Sequence, residues 1–464
     1  MKYPSPRYPR FKPLSEKKLF EKISKIVNRK PEARFSDQPH VPRYGIRKGN
    51  RVLLVALTEF DPAVVQDYAR AMRNAGAEVD VVTLDSVPNY PADQIARLEA
   101  ECIEPTGDDD VVYTRITNLM NPKTVSDLVK REKYDLVVSG TAGPLPIVPF
   151  RWTRMEYISR EEFSSPLVDF PLELQELIDR KVVESIKKCE KVRITDPEGT
   201  DFSFTNYDDE RPLYMTHEWG KPINFNYRGV EDCTGVIAGT LNHLGAFPHC
   251  KSYLKDGLVV KVEGGGAYGE VWREKIEKYK DVDYPEFPLR TAASLSKDSQ
   301  IKVKMSKPGF FWYWECAIGT IPGVFRLPQE GRMECFANFL HERKRAGYIH
   351  HGFGGSNSSA AQLAAAGLPW THCHIHSMFA TYEGKTREGE TIRVIDMGHL
   401  TALDAPEVRA FARKFGNPDR LLGEVWIPAI PGINVKGDYM KDYAANPTKW
   451  IRQEAKRHPI LAGK

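Results

Sequence analysis

The sequence predicts an α/β plus β-rich chain: an N-terminal α/β domain on a parallel sheet, then a β-rich α+β domain. Three observations predict it. The 464 residues exceed the roughly 250–300 at which one hydrophobic core stops growing. An apolar run, a helical period and a second apolar run stand near the start. Short alternating segments separated by glycine clusters dominate the later part, and the change of texture puts a boundary near residue 190.

Residues 1–50 read as an arm. Pro4, Pro6, Pro9 and Pro13 forbid regular helix there, whereas "SEKKLFEKISKIVN" can form an amphipathic helix packed on the body. Residues 51–190 form the α/β domain. Here "RVLLVALTEFDPAVVQDYARAMRNAGAEVDVVTLD" is a βαβ unit with a glycine stop near Gly76. No G-x-G-x-x-G follows the first strand, so a dinucleotide site has little support. A later strand, "YDLVVSGTAGP", ends in small residues suited to the carboxyl edge of such a sheet. A long amphipathic helix, about Pro171 to Lys188, leads into a strand from Lys191 to Thr195, a turn at "DPEGT" and another strand.

Residues 191–464 form the β-rich domain, with "GVIAGTL", "GLVVKVEGGGAY", "IKVKMS" and "GETIRVIDMGHL" as antiparallel strands. Its closing tail, "WIPAIPGINVKGDYMKDYAANPTKW", reads as a segment wrapping a neighbouring subunit, covering a cleft or lying on the surface. The aromatic run "FFWYWE" suits either a pocket for a planar ring or a buried strand.

Composition narrows the function. With 66 basic against 62 acidic residues the net charge is +4, too balanced for an electrostatic nucleic-acid binder. Seven scattered cysteines without C-x-x-C spacing suggest neither a disulfide framework nor a zinc ribbon, and so a reducing compartment. No stretch approaches 18 apolar residues, and the basic, proline-rich start lacks an apolar centre. A cytoplasmic protein without a membrane partner is expected.

The segment "THCHIHSMF" carries the chemistry. On a strand, side chains at i, i+2 and i+4 share a face, so His372, His374 and His376 line up together. Three imidazoles in a row need hydrogen-bond partners if buried, so this face is either wet or holds a metal. Seven of the twelve histidines, His341, His350, His351, His372, His374, His376 and His399, fall within about sixty residues, and imidazole is the commonest ligand for zinc-, iron- and manganese-class ions.

Four boxes carry a family resemblance. "VRITDPEGTDFSF" resembles the strand-turn-strand opening the metal domain of the aminopeptidase T family of metallopeptidases. "WECAIGTIPG" is similar to that family's E-x-x-I-G-T-N-P-G box, "YIHHGFGG" to its H-x-x-x-G segment, and "HCHIHSMF" falls at its H-x-D pair. The resemblance covers roughly residues 185–400 and implies a C-terminal domain of aminopeptidase T type. It places Glu315 on the family's bridging glutamate, His350 on its middle histidine, His374 on the histidine of H-x-D, and His376 on the aspartate. The superfamily includes a 2,5-dihydroxypyridine dioxygenase branch.

Three departures matter. The family's first glutamate has no secure counterpart, leaving Glu218, His243 and His249 as candidates. The tyrosine expected after the middle histidine is absent, and Ile321 replaces the asparagine of T-N-P-G. Exchanging a carboxylate for an imidazole and deleting a phenol leaves too little negative charge for a two-metal pair. One divalent ion is expected, held by Glu315, His350, His374 and His376. Fe(II) is favoured, with zinc or manganese as alternatives, because two histidines and a carboxylate match the non-haem Fe(II) recipe.

His351 and His372 are then the candidate proton-handling residues. Bland readings stand beside these: Glu315 as a structural carboxylate paired with arginine, the histidines as a wet strand face, and His243 and His249 as satisfied loop residues. The expected partner is a small-molecule substrate. The resemblance implies a homo-oligomer, dimer or higher. Ring cleavage of a hydroxylated aromatic or N-heteroaromatic leads; amide hydrolysis and a non-catalytic scaffold are the alternatives.

Overall fold

The computed structural model describes residues 2–29, 44–84, 95–100, 128, 131–139, 152–155, 157–206, 213–214, 223–226, 232–288, 302–328, 341–355 and 359–462. Four strands, β1 (Arg51–Leu57), β2 (Glu78–Leu84), β3 (Leu136–Ser139) and β4 (Trp152–Arg154), make a parallel sheet in the order β2-β1-β3-β4. Val52 to Leu57 are all buried, as a parallel strand covered on both faces requires. Helix α1 (Glu16–Val27) buries Leu19, Ile23 and Ile26 along one stripe and packs on α2 (Pro62–Asn74). The α2 start is set by Asp61, whose side chain accepts from Ala63 N at 2.9 Å, with Pro62 in the first turn.

Helix α3 (Leu172–Lys188) buries Leu174, Leu177, Ile178, Val182 and Ile186 and leads to a larger antiparallel sheet. Its strands are β5 (Lys191–Thr195), β6 (Asp201–Thr205), β7 (Leu213–Tyr214), β8 (Ile223–Asn226), β9 (Thr234–Leu241), β10 (Ala246–Lys255) and β11 (Leu258–Gly264). A small ribbon of β12 (Phe287–Pro288) and β13 (Lys302–Val303) stands apart. Strands β14 (Trp312–Ile318), β15 (Ile349–Gly354), β16 (His372–Ser377), β17 (Thr381–Lys385), β18 (Thr391–Asp396) and β19 (His399–Leu400) complete the sheet. Its order is β16-β15-β14-β11-β10-β9-β6-β5-β17-β18-β19, with β8 beside β14.

The large sheet curls until its edge strand β16 packs on β9. Gly239 permits the approach: a Cβ there would lie 2.8 Å from both His376 O and Ile375 Cγ2. The "FFWYWE" run is largely buried and enters the strand at Trp312, with Trp312 and Tyr313 in the main core. The closing tail packs on its own chain, where Ile430, Ile433, Tyr443 and Ile451 cover Met378 and Phe379 just after β16. The N-terminal segment is stitched to the same region by bridges from Arg7 to Ile427 and from Phe11 to Leu461. Among the described residues no helix is long and apolar enough to cross a membrane.

Candidate metal centre

The register of three neighbouring strands builds the site. His350 pairs with His376, Gly352 with His374 and Gly354 with His372, so the imidazoles of β16 share a face with His350. On β14, Ala317 pairs with His350 and Glu315 with Gly352, which adds the carboxylate to the same face. A β-bulge makes this placement. Tyr313 and Glu315 are two apart and would share a face on a regular strand, but the register shifts between them. Tyr313 consequently bonds His351 on one side of the sheet while Glu315 meets His350 on the other.

Gly352 makes room. A Cβ at that position would sit 2.6 Å from His372 Nε2, 2.7 Å from Glu315 Cβ and 2.8 Å from Glu315 Oε2. Glycine lets three Nε2 atoms reach one carboxylate: His350 at 2.9 Å from Oε1, and His372 at 2.7 Å and His374 at 3.3 Å from Oε2.

The tautomers decide what this convergence means. His372 Nδ1 lies 3.0 Å from Gly355 O, and His374 Nδ1 lies 2.8 Å from Glu99 Oε1. A carbonyl and a carboxylate only accept, so both Nδ1 atoms carry their proton. The two Nε2 lone pairs then face an ionised carboxylate, acceptor against acceptor. Such a point must hold a cation, either extra protons or a metal. Two ligand groupings have suitable spacing, Glu315–His372–His374 and His243–His350–His374. They differ in availability. Arg343 Nη1 lies 3.1 Å from His243 Nε2 and can only donate, so that lone pair is taken.

Burial alone would raise the Glu315 carboxyl, but the nearby His350 and the close Nε2 contacts of His350, His372 and His374 hold it well below the carboxylate range. Burial pushes His350 down to about 4. It also drives His243 and His376 well below the ordinary histidine value, with neighbouring positive groups adding to the effect. His374 goes the other way: desolvation would lower it, but Glu99 and Glu315 raise it. The downward shifts of His243, His350 and His376 favour the neutral ring that a metal requires, whereas the carboxylates beside His374 favour its charged form, the extra proton that a metal would replace. Two buried ring nitrogens, His350 Nδ1 and His376 Nε2, have no hydrogen-bond partner.

Each expected residue has a definite place. Glu315, His350, His372 and His374 come together. His376 lies beside them, with Nδ1 2.9 Å from Tyr348 Oη and ring centroids 6.0 Å from His350, and belongs to neither ligand grouping. His351 points to the opposite face, where Nδ1 is 3.0 Å from Tyr313 Oη and Nε2 is 3.2 Å from Ser377 Oγ. It is fully buried, and burial pushes it down to about 3. A proton carrier at neutral pH needs a higher value and a path to the site, so His351 is a core residue here.

Of the three candidates for the missing glutamate, Glu218 lies outside the described residues. His249 is bonded to Glu198 O, away from the cluster. His243 stacks on His374 with centroids 3.6 Å apart. Glu99 was not foreseen at all. Nothing in the mixed, charged stretch "DQIARLEAECIE" marks it, and only the tertiary fold brings it to His374.

Comparisons with known proteins add little. No protein-family model and no curated protein matches the chain. Among solved structures it is similar to 2,5-dihydroxypyridine dioxygenase from Pseudomonas putida KT2440, at 12% identity and a TM-score of 0.42, covering 85% of this chain and 99% of that one. A likeness that distant carries no argument, and the aminopeptidase T resemblance gains no support from it.

Proposed function

We propose that the chain is a mononuclear metal-dependent enzyme of the non-haem Fe(II) kind, which opens the ring of a hydroxylated aromatic or N-heteroaromatic small molecule with dioxygen. The observation that carries this reading is the meeting of two Nδ1-protonated imidazoles, His372 and His374, with Glu315 at 2.7 and 3.3 Å. Two histidines and one carboxylate form the facial ligand set that leaves positions open for substrate and dioxygen. Bound iron would supply the dioxygen chemistry at that point.

The chain's own residues do the rest. Gly355 O and Glu99 hold the two rings in the tautomer that offers Nε2. Glu315 and His372 each keep 12% of their side-chain surface exposed, against 6% for His374, so the cluster is approached from their side. Trp370 lies parallel to His372 there, with centroids 6.2 Å apart, and extends an aromatic wall for a planar substrate. The unpartnered His350 Nδ1 and His376 Nε2 stand beside the cluster as hydrogen-bond groups for a bound hydroxyl.

A hydrolase with two zinc- or manganese-class ions is the second reading; its second ion would need the His243–His350–His374 grouping, with His243 Nε2 released from Arg343. Anaerobic purification, elemental analysis and oxygen uptake with dihydroxypyridines and dihydroxybenzoates separate the two. About one iron per chain, with oxygen consumed as aromatic absorbance disappears, supports the dioxygenase. Two divalent ions per chain with amide turnover supports the hydrolase, and a chain that takes up neither ion defeats both.

A further inference from the structure

We propose that Glu99 is a positioning residue of the metal centre, setting the tautomer and tilt of His374 from a segment outside the sheet that carries the other residues. The inference rests on the metal reading above.

Glu99 ends the single-turn helix Ala96–Glu99. Residues that immediately precede two cluster histidines clamp that turn. Asn242 Nδ2 donates to Ala96 O at 2.9 Å, next to His243, and Thr371 Oγ1 donates to Glu99 O at 3.1 Å, next to His372. Gly245 allows the contact, since a Cβ there would meet Ala96 N at 3.1 Å. The turn is also wedged between two cores: Ile95 and Leu98 belong to the one around the parallel sheet, Ala96 and Ala100 to the one around the antiparallel sheet. The backbone that carries Glu99 is therefore tied to the residues beside His243 and His372.

The partners of Glu99 are the cluster itself. Oε1 accepts from His374 Nδ1 at 2.8 Å and lies 3.5 Å from His243 Nδ1, while Oε2 is buried without a hydrogen-bond partner. A purely structural buried carboxylate looks different: Asp179 takes hydrogen bonds from an amide and a hydroxyl, those of Gln175 and Thr320. Because Glu99 only accepts, it fixes the proton on His374 Nδ1 and keeps the Nε2 lone pair on Glu315. Supporting acceptors of this kind govern metal affinity by about 10–100-fold.

The test uses the full chain with Zn(II) as probe, titrated against a chromophoric chelator, and nitrogen-15 imidazole spectra for the protonation of His374 Nδ1. Wild type should carry a proton on His374 Nδ1 with and without Zn(II). Glu99→Ala should bind Zn(II) about 10–100-fold more weakly and lose the single Nδ1–H form. Glu99→Gln, whose amide oxygen still accepts, should keep the tautomer and most of the affinity. Wild type lacking the Nδ1 proton overturns the proposal, and this reading survives even if Glu99→Ala does not fold. So does a folded Glu99→Ala chain that binds Zn(II) within about twofold of wild type with unchanged spectra. If wild type binds no metal, the functional reading falls alone, and the tautomer comparison still decides the part of Glu99.

Discussion

His350 and His351 are neighbours on one strand, and they meet opposite fates. His351 enters a face where its two ring nitrogens meet the hydroxyls of Tyr313 and Ser377, which can donate or accept, so both are satisfied. His350 enters a face whose partners are a carboxylate and other imidazoles, where one of its nitrogens stays unpaired. One side of the sheet is finished as it stands. The other is an arrangement of acceptors that becomes stable only with positive charge between them.

Four changes break or sharpen that contrast. The largest effect is expected from Glu315→Gln, which removes the anion around which three Nε2 atoms gather. Metal affinity should fall by more than about 100-fold, beyond what a supporting residue costs; elemental analysis after loading checks it, and retained metal would show that the ion is held elsewhere than on Glu315. Next is Gly352→Ala, whose methyl has no room between His372 and Glu315. Overpacking should cost about 1–3 kcal/mol in denaturant unfolding, and metal binding should be lost with it.

On the finished face, His351→Leu should cost about 1–2 kcal/mol by stranding the Tyr313 and Ser377 hydroxyls, while metal binding stays as in wild type. A drop in metal content there would contradict the separation of the two faces. The smallest effect concerns His399, an imidazole between carboxylates in a wetter place. Its hydrogen bonds to Glu424, then to Asp404, outweigh desolvation and raise it to about 9, so it takes a second proton where the buried cluster awaits a metal. Its folded value exceeds the unfolded 6.5, so its stabilisation is fully present below about pH 6.5 and is lost as pH rises through about 9. With the ring more than a third exposed, the gain should stay under about 1 kcal/mol. Unfolding of His399→Gln and wild type should differ most in acid and converge in alkali.

What was legible in the sequence was local. The helix expected from about Pro171 to Lys188 runs Leu172–Lys188 with Pro171 at its cap, and the strand from Lys191 to Thr195 is there, because apolar period and turn residues act over a few positions. The alternation of His372, His374 and His376 gave their common face for the same reason. What the sequence could not show depends on distant pairings. A single unpaired residue in β14 re-aims Glu315, the curl of the sheet lays His243 on His374, and Glu99 reaches that ring across 275 positions of chain. No periodicity encodes these. The choice between His350 and His351 likewise needed the register of three strands.

The span from Glu99 to His374 also orders events during synthesis. Contacts so far apart form late, once their loop-closure entropy has been met. A ribosome halted before residue 372 holds a polypeptide that has already made Glu99, His243, Glu315 and His350, yet has no ring to join them. Occupancy by a cation would therefore report that synthesis had passed residue 374 and that the distant strands had met, and products truncated before that point would be unable to compete for the cell's supply of that ion.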